Sequence, residues 1–142
     1  MQKRMKHGSH WGKNSVYVKR KNLLLITPTG WRQTATNLPS VSLIVPVKNE
    51  ALYLERCLEN IFRQSYPEQL IDVWVVDGNS SDNSRQIVLL WQKTHPNLHL
   101  LANPASDVAA AMNRGLVAVR GEIVLRVDGH AFIAPDYVAQ AV

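Results

Sequence analysis

From residue 40 to the end of the chain, short and mostly apolar segments alternate with amphipathic ones, and this alternation is the strongest constraint on the fold. The apolar segments cover residues 41–45, 71–76, 98–101 and 123–127. Short apolar runs rich in valine, leucine and isoleucine are typical of strands buried on both faces of a parallel sheet. The pattern therefore predicts an α/β domain with a mostly parallel sheet, helices on both faces and right-handed crossovers.

The first two predicted helices have clear boundary signals. We expect Pro46 to end the first strand, because proline cannot donate a ladder hydrogen bond, and Asn49 to cap the helix that follows. Apolar residues at three-and-four spacing predict the inner face of each helix. These residues are Leu54, Cys57, Leu58, Ile61 and Phe62 on the first helix and Ile87, Leu90 and Trp91 on the second.

Two further helices are predicted nearer the end of the chain. One is expected over residues 107–120, rich in alanine, with Gly121 as its C-cap. Pro135 is suited to the N1 position of another helix. We expect the sheet to be truncated after its fourth strand, within a domain that covers residues 40–142.

The positive charge of the chain lies outside this predicted domain. Residues 1–39 hold eight of the 16 basic residues and no acidic ones, whereas residues 40–142 hold the other eight and all 11 acidic residues. We therefore expect a basic, disordered tail over 1–39, with contact to anionic lipid as the alternative, and no nucleic-acid binding. The single cysteine, Cys57, excludes an internal disulfide and indicates a reducing, cytoplasmic location.

Polar and acidic residues follow three of the predicted strands. Ligands of open α/β sheets bind beyond the carboxyl ends of the strands, so we expect a site formed by Pro46, Asn49, Glu50, Asp77, Asp128 and His130. Each Asp or Asn also has an alternative role as a turn or helix cap. The chain lacks both a G-x-G-x-x-G and a P-loop motif, so a bound diphosphate would be held by a divalent metal with oxygen ligands.

Several motifs in the same order resemble family 2 glycosyltransferases with the GT-A (Rossmann-like) fold. They are VSLIVPVKNE at 41–50, QSYP at 64–67, VVDGNSSD at 75–82, AMNRG at 111–115 and RVDGHA at 126–131. The resemblance covers essentially all of residues 40–142, and the last motif is most similar to the succinoglycan-biosynthesis type that makes bacterial exopolysaccharide. It implies an inverting transfer of sugar from a nucleotide-sugar donor, chiefly a UDP-sugar, to a polysaccharide or lipid-linked acceptor.

The resemblance also implies roles for individual residues. Asp77 would accept a hydrogen bond from the nucleobase, in a pocket lined by the loop from Pro46 to Glu50. Asp128 would be the first acid of the D-x-D motif and would bind Mg²⁺ or Mn²⁺, with His130 as a ligand or as a residue beside the ligands. Asn113 and Arg114 would face the donor, although Arg114 is equally suited to the surface.

Two departures from the family pattern leave other functions open. The second acid of D-x-D is replaced by His130, and the catalytic base is expected beyond Val142, in an acceptor-binding half. One alternative is therefore a non-catalytic nucleotide-binding remnant or a partner subunit. Another is a nucleotidyltransferase on a related fold. A transferase with lipid-linked acceptors would work at the inner face of the membrane.

Overall fold

The computed structural model of the chain describes residues 16–18 and 38–142, which form one five-stranded sheet and four α-helices. The strands are β1 (Val16–Val18), β2 (Val41–Val47), β3 (Ile71–Asp77), β4 (Leu98–Ala102) and β5 (Ile123–Arg126). The helices are α1 (Ala51–Phe62), α2 (Ser84–Trp91), α3 (Val108–Ala118) and α4 (Tyr137–Ala141), and a 3₁₀ turn, Glu68–Leu70, precedes β3.

The sheet has the order β1–β5–β2–β3–β4. Strands β2, β3, β4 and β5 are parallel, while β1 pairs antiparallel with the outer edge of β5. The chain adds strands on one side of β2 up to β4 and then crosses to the other side for β5, so the strand order reverses between β2 and β5. The predicted α/β fold with a mostly parallel sheet is confirmed, and this switch point is where such folds bind ligands.

Helices cover both faces of the sheet, as predicted. On one face the core contains side chains from α1, α2 and α4, and on the other Ala111 and Met112 of α3 pack on Ile44, Val76 and Val124. The inner face predicted for α1 is confirmed: its four central residues are buried and Phe62 packs against them. None of the helices in the described residues is long and apolar enough to cross a membrane.

Strand β1 was not predicted. It lies within the segment expected to be a disordered tail, and it pairs with β5 from Val16 opposite Leu125 to Val18 opposite Ile123. This pairing covers backbone groups that would otherwise remain exposed along the edge of β5. Residues 1–15 and 19–37, with the predicted lipid contact of the basic tail, lie outside the described residues.

The prediction that Pro46 ends the first strand is wrong, because β2 continues through Val47, which pairs with Asp77. The Ile44 carbonyl accepts from Val127 on the β5 side, and the Val47 carbonyl accepts from Gly78 on the β3 side. Since backbone groups alternate between the two sides, Pro46 faces the β5 side. The ladder with β5 ends at Ile44, so the missing N–H costs no ladder hydrogen bond.

Two of the helix predictions also need correction. Leu90 is 59% exposed, whereas Val88 is fully buried. Buried Ser84 and Val88 define the inner face of α2, and Leu90 lies about 200° around the helix from Val88. Helix α4 begins at Tyr137 after Asp136, so Pro135 precedes the helix and is not its N1 residue.

Gly121 is not the C-cap of α3, because that helix ends at Ala118 and is followed by Val119 in an extended conformation. Instead, Gly121 lies directly against β2 and donates its N–H to the Ser42 hydroxyl. A Cβ at this position would lie 2.6 Å from both the nitrogen and the Oγ of Ser42. Glycine therefore allows the segment before β5 to approach the central strand.

We expect Gly121→Ala to lower the free energy of unfolding by about 1–3 kcal/mol, because the new methyl group meets backbone atoms that cannot rotate away. Gly115→Ala is the comparison. The three atoms nearest its Cβ would all be side-chain carbons of Ile44, the closest at 2.7 Å, and alanine gains about 1 kcal/mol in helix propensity. Urea titrations of both variants check this prediction, and an equal or smaller loss for Gly121→Ala would contradict it.

The first turn of α1 is capped by the loop after β3 and by the first residue of α2, and not, as predicted, by Asn49. The Ser84 hydroxyl accepts from the N–H of Glu50, and the Asp82 carboxylate accepts from the N–H of Ala51. Asn49 has a positive φ of 53°, and its side-chain oxygen accepts from the N–H of Ser81. The two loops that follow β2 and β3 are thus joined by reciprocal hydrogen bonds, which satisfy amide groups that a helix N-terminus leaves free.

These hydrogen bonds make stability depend on pH. Burial alone would raise the pKa of Asp82, but hydrogen bonds from the Ser84 hydroxyl and from the Ala51 and Ser84 amides outweigh it, so the pKa lies below its usual value. A carboxylate with a lowered pKa in the folded state stabilises that state fully above its unfolded pKa of about 3.9 and loses this contribution as the pH falls through the folded value.

We therefore expect Asp82→Asn to be less stable than the wild type at pH 7, with the difference shrinking below pH 4. Urea unfolding at several pH values between 7 and 2.5 measures it. Parallel stability curves for the two proteins over that range would contradict the prediction.

Candidate functional site

A cleft of about 160 Å³ opens at the carboxyl edge of the sheet, next to the switch point between β2 and β5. Four segments line it: the end of β2 with its following loop, Gly78 after β3, the segment from Asn103 into α3, and the end of β5 with the loop beyond it. The predicted site residues Pro46, Glu50, Asp128 and His130 are all among the lining residues. The fold thus brings together the polar ends of strands that are far apart in sequence.

Asp128 forms an ion pair with Arg126, two residues earlier. The Arg126 Nε and Nη2 atoms lie 2.8 Å and 2.7 Å from the same Asp128 oxygen, Oδ1. The side chains are only 22% and 19% exposed, so solvent screens this pair less than it screens a surface pair. The carboxylate charge is consequently balanced within the protein before any ligand binds.

His130 contacts Glu50 across the same cleft. Its Nδ1 lies 2.9 Å from Glu50 Oε1, which joins the loop after β5 to the start of α1. When Nδ1 carries the proton that Glu50 accepts, Nε2 of the neutral ring keeps a lone pair. The His130 side chain is more than half exposed and lines the cleft.

The metal ligands predicted at this edge were Asp128 and His130. Among the described residues, no three His, Cys, Asp or Glu side chains converge to hold a metal ion. The two predicted ligands would supply one carboxylate oxygen, Asp128 Oδ2, and one imidazole nitrogen, His130 Nε2. This set fits only a cation that takes its remaining ligands from a bound molecule, since divalent cations require about four to eight ligands.

Asp77 has the turn-capping role that was the alternative prediction for this residue. Both of its carboxylate oxygens lie 3.3 Å from the N–H of Ser80, and the side chain is almost fully buried. Arg85 lies 3.6 Å away and partly compensates its charge. Asp77 does not belong to the lining of the cleft, so its contact with a nucleobase stays a prediction.

Three other predicted donor-binding residues do not line the cleft. Asn49 uses its side chain to hold the loop after β3. Asn113 and Arg114 are exposed residues of α3 and do not line the cleft. The structure thus brings Pro46 and Glu50 into one cavity with Asp128 and His130, and it does not bring these three there.

Further residues that were not predicted from the sequence also line the cleft, chief among them Asn103. Its side chain is buried, and its Nδ2 donates to the Asp107 carbonyl. Its Oδ1 has no hydrogen-bond partner among the described residues. Such an unsatisfied buried acceptor is rare in folded proteins. Asn103 follows the third predicted strand, at the same edge of the sheet, and this position in the sequence could have identified it as a site residue.

The loop that carries Asn103 is tied to the end of β3. Ser106 has a φ of 59°, in the left-handed region, and its hydroxyl donates to the Gly78 carbonyl. The Asp107 carboxylate accepts from the N–H of Ala110 and caps α3. These bonds hold the Asn103 side of the cleft against the β3 side without a ligand.

Cys57 lies behind this site. Burial, together with the nearby Asp128 and Glu50 carboxylates, raises the pKa of its thiol to about 12. Its Sγ lies 3.5 Å from the Asp128 carbonyl oxygen. Because a thiol with this pKa is protonated at neutral pH, Cys57 supports the Asp128 backbone and is not a nucleophile.

Known proteins are similar to this chain in sequence and in fold. The sequence model of glycosyl transferase family 2 matches residues 42–142. A dolichyl N-acetyl-α-D-glucosaminyl phosphate 3-β-D-2,3-diacetamido-2,3-dideoxy-β-D-glucuronosyltransferase from Methanococcus voltae is 30% identical over 99 residues. That alignment covers 68% of this chain and 31% of the relative.

Two solved structures are similar in three dimensions. The mannosyltransferase PcManGT from Pyrobaculum calidifontis, in complex with GDP-Man and Mn²⁺, is 38% identical with a TM-score of 0.67 over 75% of this chain and 31% of its own. TarS 1-349 from S. aureus, in complex with UDP, is 28% identical with a TM-score of 0.65 over 72% of this chain and 30% of its own. The chain thus spans about a third of the length of these proteins.

These matches agree with the strand order, with the cleft at the switch point and with the resemblance seen in the motifs. The family model alone covers more than two thirds of the residues. The chain therefore belongs to glycosyl transferase family 2.

Proposed function

We propose that this chain forms the donor-binding part of an inverting glycosyltransferase that uses a nucleoside-diphosphate sugar. The observation that carries the proposal is the cleft at the switch point, where Asp128, Arg126 and Lys48 lie together on the walls. A diphosphate there meets two basic side chains and the carboxylate of Asp128. In the reaction, an acceptor hydroxyl attacks the anomeric carbon and gives its proton to a base. The bond from that carbon to the donor phosphate oxygen breaks and the nucleoside diphosphate leaves, so the configuration at the carbon inverts. We assign donor binding, and not deprotonation of the acceptor, to the described residues.

The nucleobase contact is proposed for Asn103 together with Asp77. The Oδ1 of Asn103 is buried and unpartnered, so a rotation of this side chain toward the cleft would let it accept from a base that presents a ring N–H, as both uracil and guanine do. The two structural relatives bind GDP-Man and UDP respectively. A UDP-sugar is our expectation from the sequence, and a GDP-sugar is the direct competitor to test.

A divalent cation, Mg²⁺ or Mn²⁺, is proposed at Asp128 with His130 beside it. The donor set described above needs phosphate oxygens to complete the coordination, so we expect the cation to bind together with the nucleotide. Such a cation would stabilise the negative charge that develops on the leaving diphosphate. PcManGT holds Mn²⁺ together with its donor, which supports this proposal.

The acceptor is proposed to be a saccharide on a polysaccharide or on a lipid carrier. The names of relatives include a transferase acting on a dolichyl phosphate sugar and a β-monoglucosyldiacylglycerol synthase. A lipid-linked acceptor would place the reaction at the cytoplasmic face of a membrane.

The first test is thermal melting of the full chain with UDP or GDP, each with Mn²⁺. A ligand at about 100 times its Kd stabilises the folded state by about 2.7 kcal/mol, which corresponds to a rise of several degrees in Tm for a domain of this size. We expect Asp128→Asn to lose most of the part of the rise that depends on Mn²⁺. The control Asp136→Asn, before α4 and outside the cleft, should retain it.

No shift with either nucleotide in the wild-type chain, despite a cooperative melt, would overturn the proposed function. A shift with UTP but none with a nucleoside diphosphate would favour the nucleotidyltransferase alternative. Transfer of sugar by the whole protein, followed by release of UDP or GDP, separates a transferase from a non-catalytic remnant.

A second prediction concerns the contact between Asn103 and the nucleobase. We expect Asn103→Ala to weaken UDP or GDP binding by roughly tenfold, in line with about 1–2 kcal/mol for a hydrogen bond in a buried site. Inorganic diphosphate with Mn²⁺ is the control ligand, because it lacks the base, and its affinity should change little. Calorimetric titration measures both. Equal losses for nucleotide and diphosphate would show that Asn103 acts on the structure of the loop and not on the base.

A further inference from the structure

Arg126 occupies a position where a charged side chain requires explanation. It is the last residue of β5 and pairs in register with fully buried Ile44 of β2. Val124, two residues earlier on the same face, is also fully buried. An arginine beside these buried apolar side chains needs an opposite charge close to it, because burying an uncompensated charge is costly in free energy. Asp128 supplies this pairing.

The ion pair with Asp128 leaves several N–H groups of the Arg126 guanidinium without an acceptor. Both of the observed contacts, from Nε and Nη2, fall on the single oxygen Oδ1 of Asp128. Arginine has five N–H donors, and within the described part of the chain no other acceptor receives one of them. A fork that engaged both carboxylate oxygens would be the stronger arrangement. Arg126 therefore keeps donors available on the wall of the cleft.

The other charged groups of the cleft are already engaged or exposed. Glu50 contacts His130, and Asp107 caps α3. Lys48 is exposed on the rim. Arg126 is thus the basic group of the lining that is both held in place and incompletely hydrogen-bonded.

We propose that Arg126 binds the donor diphosphate directly, by turning part of its hydrogen bonding from Asp128 to phosphate oxygens. Nucleotide binding then has two separable contributions: one from a divalent cation at Asp128 and one from Arg126 that persists without a cation. This inference rests on the proposed function, because it assumes that a nucleoside diphosphate is the ligand. Asp128 holds Arg126 in position while the cleft is empty.

The pairing makes an unusual prediction for Asp128. Without a cation, its carboxylate repels phosphate and competes for Arg126. Asp128→Asn should therefore bind nucleotide in EDTA at least as tightly as the wild type does, although it loses the gain that Mn²⁺ gives. Arg126→Met should show the opposite pattern, with weak binding in EDTA and a large gain on adding Mn²⁺.

The experiment is calorimetric titration of the full chain with UDP and with GDP, in EDTA and in Mn²⁺. The variants are Arg126→Met, Arg126→Lys, Asp128→Asn and the double variant R126M/D128N, which leaves no unpaired carboxylate if Arg126→Met alone does not fold. Arg120→Met is the matched control, because Arg120 is exposed and outside the cleft. We expect Arg126→Met to weaken binding in EDTA by roughly tenfold or more, R126M/D128N to bind in EDTA roughly tenfold more weakly than Asp128→Asn, and Arg120→Met to match the wild type.

The results separate this inference from the proposed function. If nucleotide binds with Mn²⁺ but the wild type shows no binding in EDTA, or if R126M/D128N binds in EDTA as tightly as Asp128→Asn does, the role of Arg126 is overturned and the proposed function stands. If no nucleotide binds under either condition, the proposed function itself fails. Arg126→Lys keeps the positive charge but lacks the paired N–H donors of a guanidinium, so an affinity between those of the wild type and Arg126→Met supports direct phosphate contact.

Discussion

The pairing of β2 with β3 on one side and β5 on the other is the constraint on which the rest of the structure depends. Strand β2 is buried on both faces, and its parallel neighbours all end at the same edge of the sheet. Parallel pairing therefore brings the loops after three strands to one place. Gly121 permits the close approach of β5 to β2, and Ser42 receives its N–H. Without this approach the wall that carries Asp128 would not meet the wall that carries Glu50.

The loops at this edge are held by hydrogen bonds that do not need a ligand. The loop after β2 is joined to the loop after β3 through Asn49, Asp82 and Ser84. Ser106 joins the segment after β4 to Gly78. Most polar groups near the cleft are consumed in this way, so the few that keep free donors or acceptors are informative. Preorganisation of this kind lowers the cost of ordering side chains when a ligand binds.

Much of the fold could be predicted from the sequence because it depends on periodicity. Short apolar runs identified the four parallel strands, and three-and-four spacing identified the inner face of α1. Predictions that depended on a single residue were less reliable. Pro46 does not end β2, because the ladder with β5, on the side that Pro46 faces, has already ended at Ile44. Leu90 is exposed because buried Ser84 and Val88 set the orientation of α2. Propensity of a single residue is overridden by its tertiary neighbours.

By itself, the sequence determined the α/β class, the family resemblance and the edge of the sheet where polar residues gather. These follow from patterns local in the chain and from the rule that parallel strands end together. Only the tertiary structure decided which polar residues line the cleft. Asn49 and Asp77 are engaged in holding loops, whereas Asn103 and Arg126 line the cleft with unused hydrogen-bonding groups. The reason is physical: whether an acid or amide holds a turn or remains available for a ligand depends on partners brought close only by folding.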